Sequence, residues 1–392
     1  MRSRASIGHA RMMHASASTR ASNKLVTAYS FAAKPPPESA AQQGKEEGKD
    51  AKDKAPAGDG ESKEAPSREL RGRIDPASEL GRWRSLVLQG GDAGEDALIV
   101  GRSADARTVV MCVADGVGGW VEQGVDPAHF SNALLFYVTK FINAQPNIPE
   151  PSAMLQNAFD HVLADESVWA GSSTACLVRL DASKGVLSSA NLGDSGYVHL
   201  RPHGDEGRME VVYLSPPQQY GFNTPYQLSK VPSEMQQEGS LSNEPKDAAL
   251  REDALQPGDM VLVATDGFFD NVHCKLPPKE ALAPDAPLRP ELLQLIDMLQ
   301  DKHNEHWRAA NQPENTPEQK HDFIKVIAST YVPGGVAAAT NICRLMQYAR
   351  LCQTTGEKVS PFQLEAAMHG INFPGGKIDD IALCAAMVVE EP

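Results

Sequence analysis

Four short acidic signatures lie at the ends of apolar, strand-like runs of the sequence. Glu95-Asp96 precedes the run Ala97–Val100, while Asp115-Gly116 and Asp266-Gly267 each follow a run rich in Val, Leu and Ala. Asp379-Asp380 precedes a last run of this kind. A strand end holds a carboxylate rigidly, and several such carboxylates at one sheet edge make an all-oxygen site for hard divalent cations. The pattern is typical of a metal-dependent hydrolase.

Each signature also has a simpler interpretation. Asp-Gly after a strand is a common turn, because Asp hydrogen-bonds to its own backbone and Gly accepts a positive φ. The pair Glu95-Asp96 could equally be a solvated entry to a strand. We favour the cation site because all four apolar runs carry an acid at one end.

Six ordered motifs between about residues 84 and 390 carry a family resemblance. They resemble the motif series of the metal-dependent (type 2C, or PPM) Ser/Thr protein phosphatases. Phe222–Ser229 and the Val-Gly-Gly-Trp form of one motif further resemble the mitochondrial branch of that family. The six motifs are Gly94–Asp96, Val113–Trp120, Gly171–Cys176, Asn191–Gly196, Thr265–Asn271 and Gly375–Asp380.

The resemblance implies two Mg²⁺ or Mn²⁺ ions and a role for each matched acid. Asp115 would bridge the ions and act as a catalytic residue, and Gly116 would give its carbonyl oxygen. Asp266 and Asp379 would bind one ion. Glu95 would bind the other ion, directly or beside a water molecule. The reaction implied is direct attack of a water molecule, activated by the two ions, on phosphoserine or phosphothreonine.

The remaining site residues are less uniquely determined. By resemblance Asp96 is catalytic and orients the attacking water. Asp270 matches an acid that helps to hold a weaker third ion, although a helix N-cap is an equal alternative. We interpret Asp194 as a structural turn residue. Val117 replaces the His that many relatives have after Asp-Gly, and Gly91 replaces their phosphate-clamping Arg, so the general acid and the phosphate donor are unassigned.

Charge and cysteine content narrow the function classes. The chain of 392 residues has 37 Lys and Arg against 51 Asp and Glu, a formal net charge of −14, which argues against a nucleic-acid or general membrane-surface binder. Six cysteines without a C-x-x-C spacing predict buried thiols rather than a disulfide set. No apolar stretch approaches the length needed to cross a bilayer. We expect one catalytic domain and a monomer without stable membrane insertion.

The N-terminal region differs in composition from the rest of the chain. Residues 1–34 are basic, rich in Ser and Ala and free of acids, which predicts a mitochondrial transit peptide. A disordered basic tail and a chloroplast peptide are alternatives. Residues 35–68 predict a disordered linker, because they contain too little apolar surface to fold. A phosphatase domain at 80–391 follows, with a flap at 215–257 and a polar insertion at 301–320.

Hydrophobic periodicity predicts the elements that position the acids. Strands are expected at Arg84–Leu88, Ala97–Gly101 and Val109–Ala114, then two helices after Asp126 and four more strands between Thr174 and Leu214. Residues 274–375 have a helical pattern. Strands in runs and helices in pairs indicate an α+β fold, and the family fold is a four-layer α-β-β-α sandwich of two mostly antiparallel sheets flanked by helices.

We therefore carry three hypotheses for the function. The first is a protein serine/threonine phosphatase of the mitochondrial matrix that acts on phosphoprotein substrates, which by resemblance include enzymes of coenzyme Q biosynthesis. The second is a pseudophosphatase-type binding protein, although no matched metal position has lost its acid. The third is a plastid phosphatase of the same family.

Overall fold

The computed structural model describes most of the phosphatase-like region and one segment before it. The described residues are 23–35, 70–105, 107–203, 208–236, 241–272, 274, 325–328, 345–346, 348–354 and 359–390. The predicted linker at 35–68 lies outside these residues except for Pro35, and the predicted insertion at 301–320 lies outside them.

Two antiparallel sheets form the centre of the fold. The five-stranded sheet has the order β12-β6-β5-β3-β2 and the six-stranded sheet the order β14-β1-β15-β13-β7-β8. The strands of these two sheets are β1 (Asn23–Ala32), β2 (Asp96–Arg102), β3 (Thr108–Asp115), β5 (Ala175–Asp181), β6 (Val186–Leu192), β7 (Gly196–His203), β8 (Arg208–Leu214), β12 (Ala249–Ala254), β13 (Met260–Ala264), β14 (Lys325–Ala328) and β15 (Ile381–Glu390).

Short strands and helices complete the described elements. The helices are α1 (Glu79–Leu88), α2 (Pro127–Asn143), α3 (Pro151–Ala164), α4 (Asp266–Phe269) and α5 (Pro361–Met368), with 3-10 turns at Gly118–Gln123, Ser233–Met235 and Pro245–Asp247. The short strands are β4 (Gly171–Ser173), β9 (Gln219–Gly221), β10 (Thr224–Pro225) and β11 (Leu228–Lys230). Among the described residues no helix is both long and apolar enough to span a membrane.

The layers follow from strands that are apolar on both faces. In β3, Val109, Met111 and Val113 pack against the six-stranded sheet, whereas Val110 and Cys112 pack against α2 and α3. This alternation is the two-residue period of a strand. A third apolar cluster covers the outer face of the six-stranded sheet and includes the helical residues Leu345, Met346 and Ala349. The structure confirms the predicted α+β sandwich of two antiparallel sheets flanked by helices.

The two helices predicted after Asp126 are present as α2 and α3. The Asp126 side chain accepts a hydrogen bond from the backbone N–H of Ala128, and Pro127 follows at the first helical position. One residue departs from the predicted apolar face of α3, because Leu163 is exposed. The five cysteines among the described residues are all free and buried, as predicted.

The predicted strand at Arg84–Leu88 is wrong, because these residues form the second half of α1. The Ser78 side chain accepts from the backbone N–H of Gly81 and begins the helix. Trp83 packs edge-on against Phe136 of α2, with 5.8 Å between the ring centroids. The apolar run was too short to distinguish a strand from a helix by its sequence.

The predicted boundary of the domain is also wrong at the N-terminus. Residues 23–32, which the sequence assigns to a transit peptide, form β1 inside the six-stranded sheet, between β14 and β15. Leu25, Val26 and Phe31 of this strand are buried in the core. The basic residues nearby led to the assignment of this apolar strand to a transit peptide. Its partner, β15, lies at the other end of the chain.

The predicted flap contains regular structure. Its last part is β12, an edge strand that pairs with β6 over six residue pairs. The preceding segment includes β9, β10 and β11, and Asn223 has a positive φ of 51°. The segment that reaches toward the acids is therefore shorter than the sequence indicated.

Candidate active site

Two acids of the five-stranded sheet face each other across neighbouring strands. Asp96 begins β2 and Asp115 ends β3, and the two are directly paired in the antiparallel register. Both strands are buried on both faces, so their ends are rigid supports. Glu95 precedes Asp96 and its backbone oxygen accepts from the Gly116 N–H at 3.2 Å. The pairing brings Glu95, Asp96 and Asp115 to one sheet edge.

Two further acids come from the six-stranded sheet. Asp266 begins α4 directly after β13, and Asp379 lies just before β15, which pairs with β13. The carboxyl groups of Asp266 and Asp115 lie close enough for each to shift the pKa of the other. The edges of the two sheets therefore meet at the acids, and the structure brings together the four sequence signatures.

Thr265 connects the two sheets beside the acids. Its hydroxyl donates to Asp96 Oδ2 at 2.8 Å and accepts from the backbone N–H of Ala382 at 3.0 Å. Thr265 is fully buried. It fixes the orientation of the Asp96 carboxylate, a role that the sequence analysis missed although Thr265 directly precedes Asp266.

Asp380 anchors the backbone around Glu95. Its two carboxylate oxygens accept from the Lys34 N–H at 2.6 Å and the Glu95 N–H at 2.9 Å. A Cβ at Gly94, where φ is +64°, would lie 2.0 Å from Asp380 Oδ1, so only glycine fits there. Asp380 thus positions the residues around it.

Glycine is also required at Gly116 for a steric reason. A Cβ at this position would lie 2.6 Å from the Pro127 oxygen and 2.8 Å from the Glu95 oxygen. The close approach holds the Gly116 peptide beside Asp115. The structure therefore fixes the peptide whose carbonyl the sequence analysis assigns as a ligand.

Two lysines among the acids were not predicted as site residues. Lys34 follows β1, and its Nζ lies 3.0 Å from Glu95 Oε2 and 3.6 Å from Asp379 Oδ1. Lys377 lies within the last motif, and its Nζ lies 2.5 Å from Asp266 Oδ2. No spacing in the sequence links Lys34 to the acids, whereas Lys377 was visible in a quoted motif and had no assigned role.

Comparison with known proteins identifies the family. A protein phosphatase PTC7 homolog from Xenopus laevis is 33% identical over 309 residues, which cover 78% of this chain and 85% of the relative. The PTC7 homolog of Homo sapiens is 33% identical over the same length and covered to 83%, and that of Drosophila grimshawi is 37% identical over 299 residues. The chain belongs to the PTC7 group of PPM-type Ser/Thr protein phosphatases. This confirms the predicted family and enzyme class.

The structural comparison supports the same fold for this phosphatase. The solved photosystem II phosphatase PBCP superimposes with a TM-score of 0.50 and 24% sequence identity, covering 75% of this chain and 91% of that one. At this identity the likeness bears on the fold alone. No family model matches the chain.

Burial and neighbouring charges shift the pKa values of several acids in the site of this phosphatase. Burial and then the charge of Asp266 raise the pKa of Asp115 well above its ordinary value. Burial and then Asp380 do the same to the pKa of Asp96. Burial alone would raise the pKa of Asp266. The charge of Lys377 and then the interaction with Asp115 hold this pKa below its ordinary value. The cluster therefore carries more negative charge than the neighbouring lysines neutralise.

Two more carboxylates extend the cluster on one side. Asp270 Oδ2 lies 2.9 Å from Lys377 Nζ. Asp194 is half-buried, and burial and then the charge of Asp266 raise its pKa to about 7. Its Oδ1 has no hydrogen-bond partner, and a cavity of about 170 Å³ is lined by Asp194 and by Pro361 and Glu365 of α5. Asp194 therefore faces the acids, which the interpretation as a turn residue did not foresee.

The donor chemistry of this phosphatase fits hard divalent cations. Asp96 Oδ1 and Asp266 Oδ1 are buried without a hydrogen-bond partner, and every candidate ligand is an oxygen. Within the described part of the chain, no three acidic, thiol or imidazole groups already surround one point as a ready-made metal site. Lys34 and Lys377 are two lysines that lie among these acids.

An open cleft includes Val117, two residues after Asp115, in its lining. It has a volume of about 530 Å³. Trp120 and Gln227 line it, and the Trp120 indole donates to Ser172 Oγ at 2.7 Å. Met235 and Leu241 add apolar surface. Val117 therefore contributes to a groove wall.

Proposed function

We propose that this protein is an active, Mg²⁺- or Mn²⁺-dependent phosphatase that hydrolyses phosphoserine and phosphothreonine in proteins. The observation that carries the proposal is the meeting of Asp96 and Asp115 from one sheet with Asp266 and Asp379 from the other. Membership of the PTC7 group supports it. A lost acid would have signalled a pseudophosphatase, and each matched position has one.

The acids divide naturally between ligands and a positioning group. Asp115, the Gly116 carbonyl, Glu95, Asp266 and Asp379 would hold the ions. When bound, two such cations supply a nucleophilic water near neutral pH and neutralise phosphate oxygens. The buried, rigid strand ends keep the ligand oxygens in place, which lowers the cost of organising the site.

Asp96 is suited to orient the attacking water. Thr265 holds its Oδ2, while its Oδ1 is buried and has no hydrogen-bond partner. A carboxylate with one fixed and one free oxygen can accept a hydrogen bond in a defined direction. Asp96 thus acts beside the ions rather than as a principal ligand.

Lys34 is the group that we assign to the substrate phosphate. Its side chain is 38% exposed at the rim of the cluster, and its backbone is fixed by Asp380 and by Arg350, which donates to the Ala33 oxygen at 3.1 Å. Cations bound to Glu95 would release the ammonium from this carboxylate. It would then be free to bind the entering phosphate, the role that Gly91 leaves unassigned.

The cleft that Val117 lines suits residues next to the phosphorylated side chain. Its walls combine Trp120 with polar groups such as Gln227, a mixture that accepts an extended peptide. The substrates would be phosphoproteins of the mitochondrial matrix. Enzymes of coenzyme Q biosynthesis are candidates through the family resemblance alone.

We place the targeting signal in the residues before Asn23. Arg2, Arg4, Arg11 and Arg20 supply a basic segment without acids there. Cleavage after residue 34 would remove β1 and Lys34, so maturation must cut earlier. Fusing residues 1–22 to a fluorescent reporter should direct it to mitochondria, and replacing the four arginines by Ser should abolish import. A reporter that enters plastids would favour the plastid alternative.

The activity itself is tested with phosphopeptides and purified protein. We expect release of phosphate from phosphoserine and phosphothreonine peptides with Mn²⁺ or Mg²⁺, little release from a phosphotyrosine peptide, and none in excess EDTA. Asp115→Asn and Asp379→Asn should each lower turnover on the order of 10³-fold. The matched control is Asp160→Asn, an exposed acid of α3, which should behave as wild type.

Two outcomes would contradict this proposal. Turnover that persists in excess EDTA would show that the acids do not act through cations. Tight binding of the phosphopeptides without turnover at saturating Mn²⁺ would favour the binding-protein alternative.

A further inference from the structure

The Lys377 ammonium lies inside a shell of oxygen atoms. Its Nζ is 2.5 Å from Asp266 Oδ2, 2.9 Å from Asp270 Oδ2 and 3.2 Å from Asp379 Oδ2. The side chain is only 16% exposed. A fourth oxygen, Asn223 Oδ1 from the flap, lies 3.2 Å away. Three carboxylates and one amide thus surround a single positive charge.

The backbone of Lys377 is fixed by the helix end that carries two of these acids. The buried Asn271 side chain accepts from the Lys377 N–H at 3.1 Å and donates to the Lys377 oxygen at 2.9 Å. The same amide donates to the Gly267 oxygen at 2.9 Å. Asn271 therefore ties Lys377 to the turn between Asp266 and Asp270.

Close packing limits the neighbouring loop as well. A Cβ at Gly376 would lie 2.1 Å from the Cys352 oxygen and 2.6 Å from Asn271 Oδ1. The loop therefore follows one path beside Asn271. The Lys377 side chain therefore extends toward the acids from a backbone that hydrogen bonds and close packing hold in place.

The two oxygens of Asp266 have different surroundings. Oδ2 is bonded to Lys377, whereas Oδ1 is buried and has no hydrogen-bond partner. Lys377 therefore occupies Oδ2 and leaves Oδ1 of Asp266 available for a divalent cation.

A divalent cation and the Lys377 ammonium cannot share this shell. Two like charges a few ångströms apart repel strongly where water is largely excluded. An ammonium offers three donors and matches the three carboxylate oxygens around it. A cation would gain Asp270 only by expelling a buried lysine from its ionic partners.

We propose that Lys377 is a fixed cation in the place where a third metal ion is expected, so that the phosphatase binds two ions and Asp270 pairs with Lys377. The inference rests on the proposed function for the two remaining ions. It makes Asp270 a partner of the lysine, and it links the flap to the site through Asn223.

The test counts bound Mn²⁺ in the full chain by isothermal titration calorimetry and by electron paramagnetic resonance of free Mn²⁺. The wild type should bind two ions. Lys377→Met should gain a third, weaker site, because Asp266, Asp270 and Asp379 are then left without their cation. Lys377→Arg should stay at two, and adding Asp270→Asn to Lys377→Met should remove the gained site. Lys184→Met, a substitution at an exposed lysine, is the control.

The possible results test the role of Lys377 and the proposed function separately. Three ions in the wild type, or an unchanged count in folded Lys377→Met, would overturn the role of Lys377 alone. No binding of Mn²⁺ to the wild type would overturn the proposed function as well. Thermal unfolding of each variant establishes that it is folded before its ions are counted.

Discussion

Lys34 Nζ lies 3.0 Å from Glu95 Oε2, although 61 residues separate them in the chain. Asp380 accepts hydrogen bonds from the backbone N–H groups of both residues. The N-terminal strand, the second strand and the last strand therefore meet at one carboxylate. This contact joins residues 23–34 to the sheets that carry the acids.

Removing the N-terminal strand should destroy the enzyme, whereas removing only the segment before it should not. A variant that begins at Asn23 should keep wild-type turnover and thermal stability. A variant that begins at Pro35 exposes the edge of β15 and deletes buried Leu25, Val26 and Phe31, so we expect insoluble or inactive protein. Full activity and stability in the Pro35 variant would contradict the assignment of β1.

Replacing Lys34 should weaken phosphate binding more than cation binding. Lys34→Met should raise KM for a phosphopeptide, and the inhibition constant of inorganic phosphate, about 10- to 100-fold, because a charged hydrogen bond contributes about 1.5–3 kcal/mol. Lys34→Arg should restore much of this binding. Lys184→Met is the control for a lost surface charge. An unchanged phosphate constant with altered Mn²⁺ affinity would mean that Lys34 serves the cations instead.

Thr265 should be needed both for stability and for the orientation of Asp96. Thr265→Val keeps the shape of the side chain but leaves the Ala382 N–H and the Asp96 carboxylate without their hydroxyl partner. We expect a loss of about 1–3 kcal/mol in the free energy of unfolding and a lower kcat. Thr265→Ser keeps the hydroxyl and should restore kcat. Denaturant unfolding and steady-state kinetics measure the two effects, and a wild-type kcat in Thr265→Val would contradict the orienting role.

A buried ionic network far from the acids should make stability depend on pH. Asp259 accepts from His199 Nε2 and Arg201 Nε, both at 2.8 Å. Burial alone would raise its pKa, but the bonds from Arg201 and then His199 lower it from 3.8 to about 2. Because the folded pKa is depressed, this stabilisation is present above about pH 4 and is lost as the pH falls toward 2.

Asp259→Asn tests this network. It should lower the free energy of unfolding by about 2 kcal/mol near neutral pH, and the difference from wild type should shrink on acidification below about pH 4. Denaturant titrations across this range give both values. Asp160→Asn is again the matched control. A difference that stays constant down to about pH 2 would place the effect in packing rather than in charge.

The sequence determined the family, the α+β layers and the acids at the strand ends. Each of these was readable because a strand with two buried faces leaves a continuous apolar run, and the acid stands next to it in the chain. Asp96 and Asp115 could be expected at one edge because β2 and β3 are neighbours joined by a short connection. The N-cap at Asp126 was readable for the same local reason.

Only the tertiary structure decided which lysine side chains lie among those acids. Lys34 reaches Glu95 because β1 pairs with β15, a contact between the two ends of the described chain that leaves no local pattern. Lys377 stood beside Asp379 in the sequence, yet its position between Asp266 and Asp270 depends on the Asn271 amide. Short-range patterns reflect local backbone preferences and burial, whereas the charge balance of a site depends on side chains brought together from distant segments.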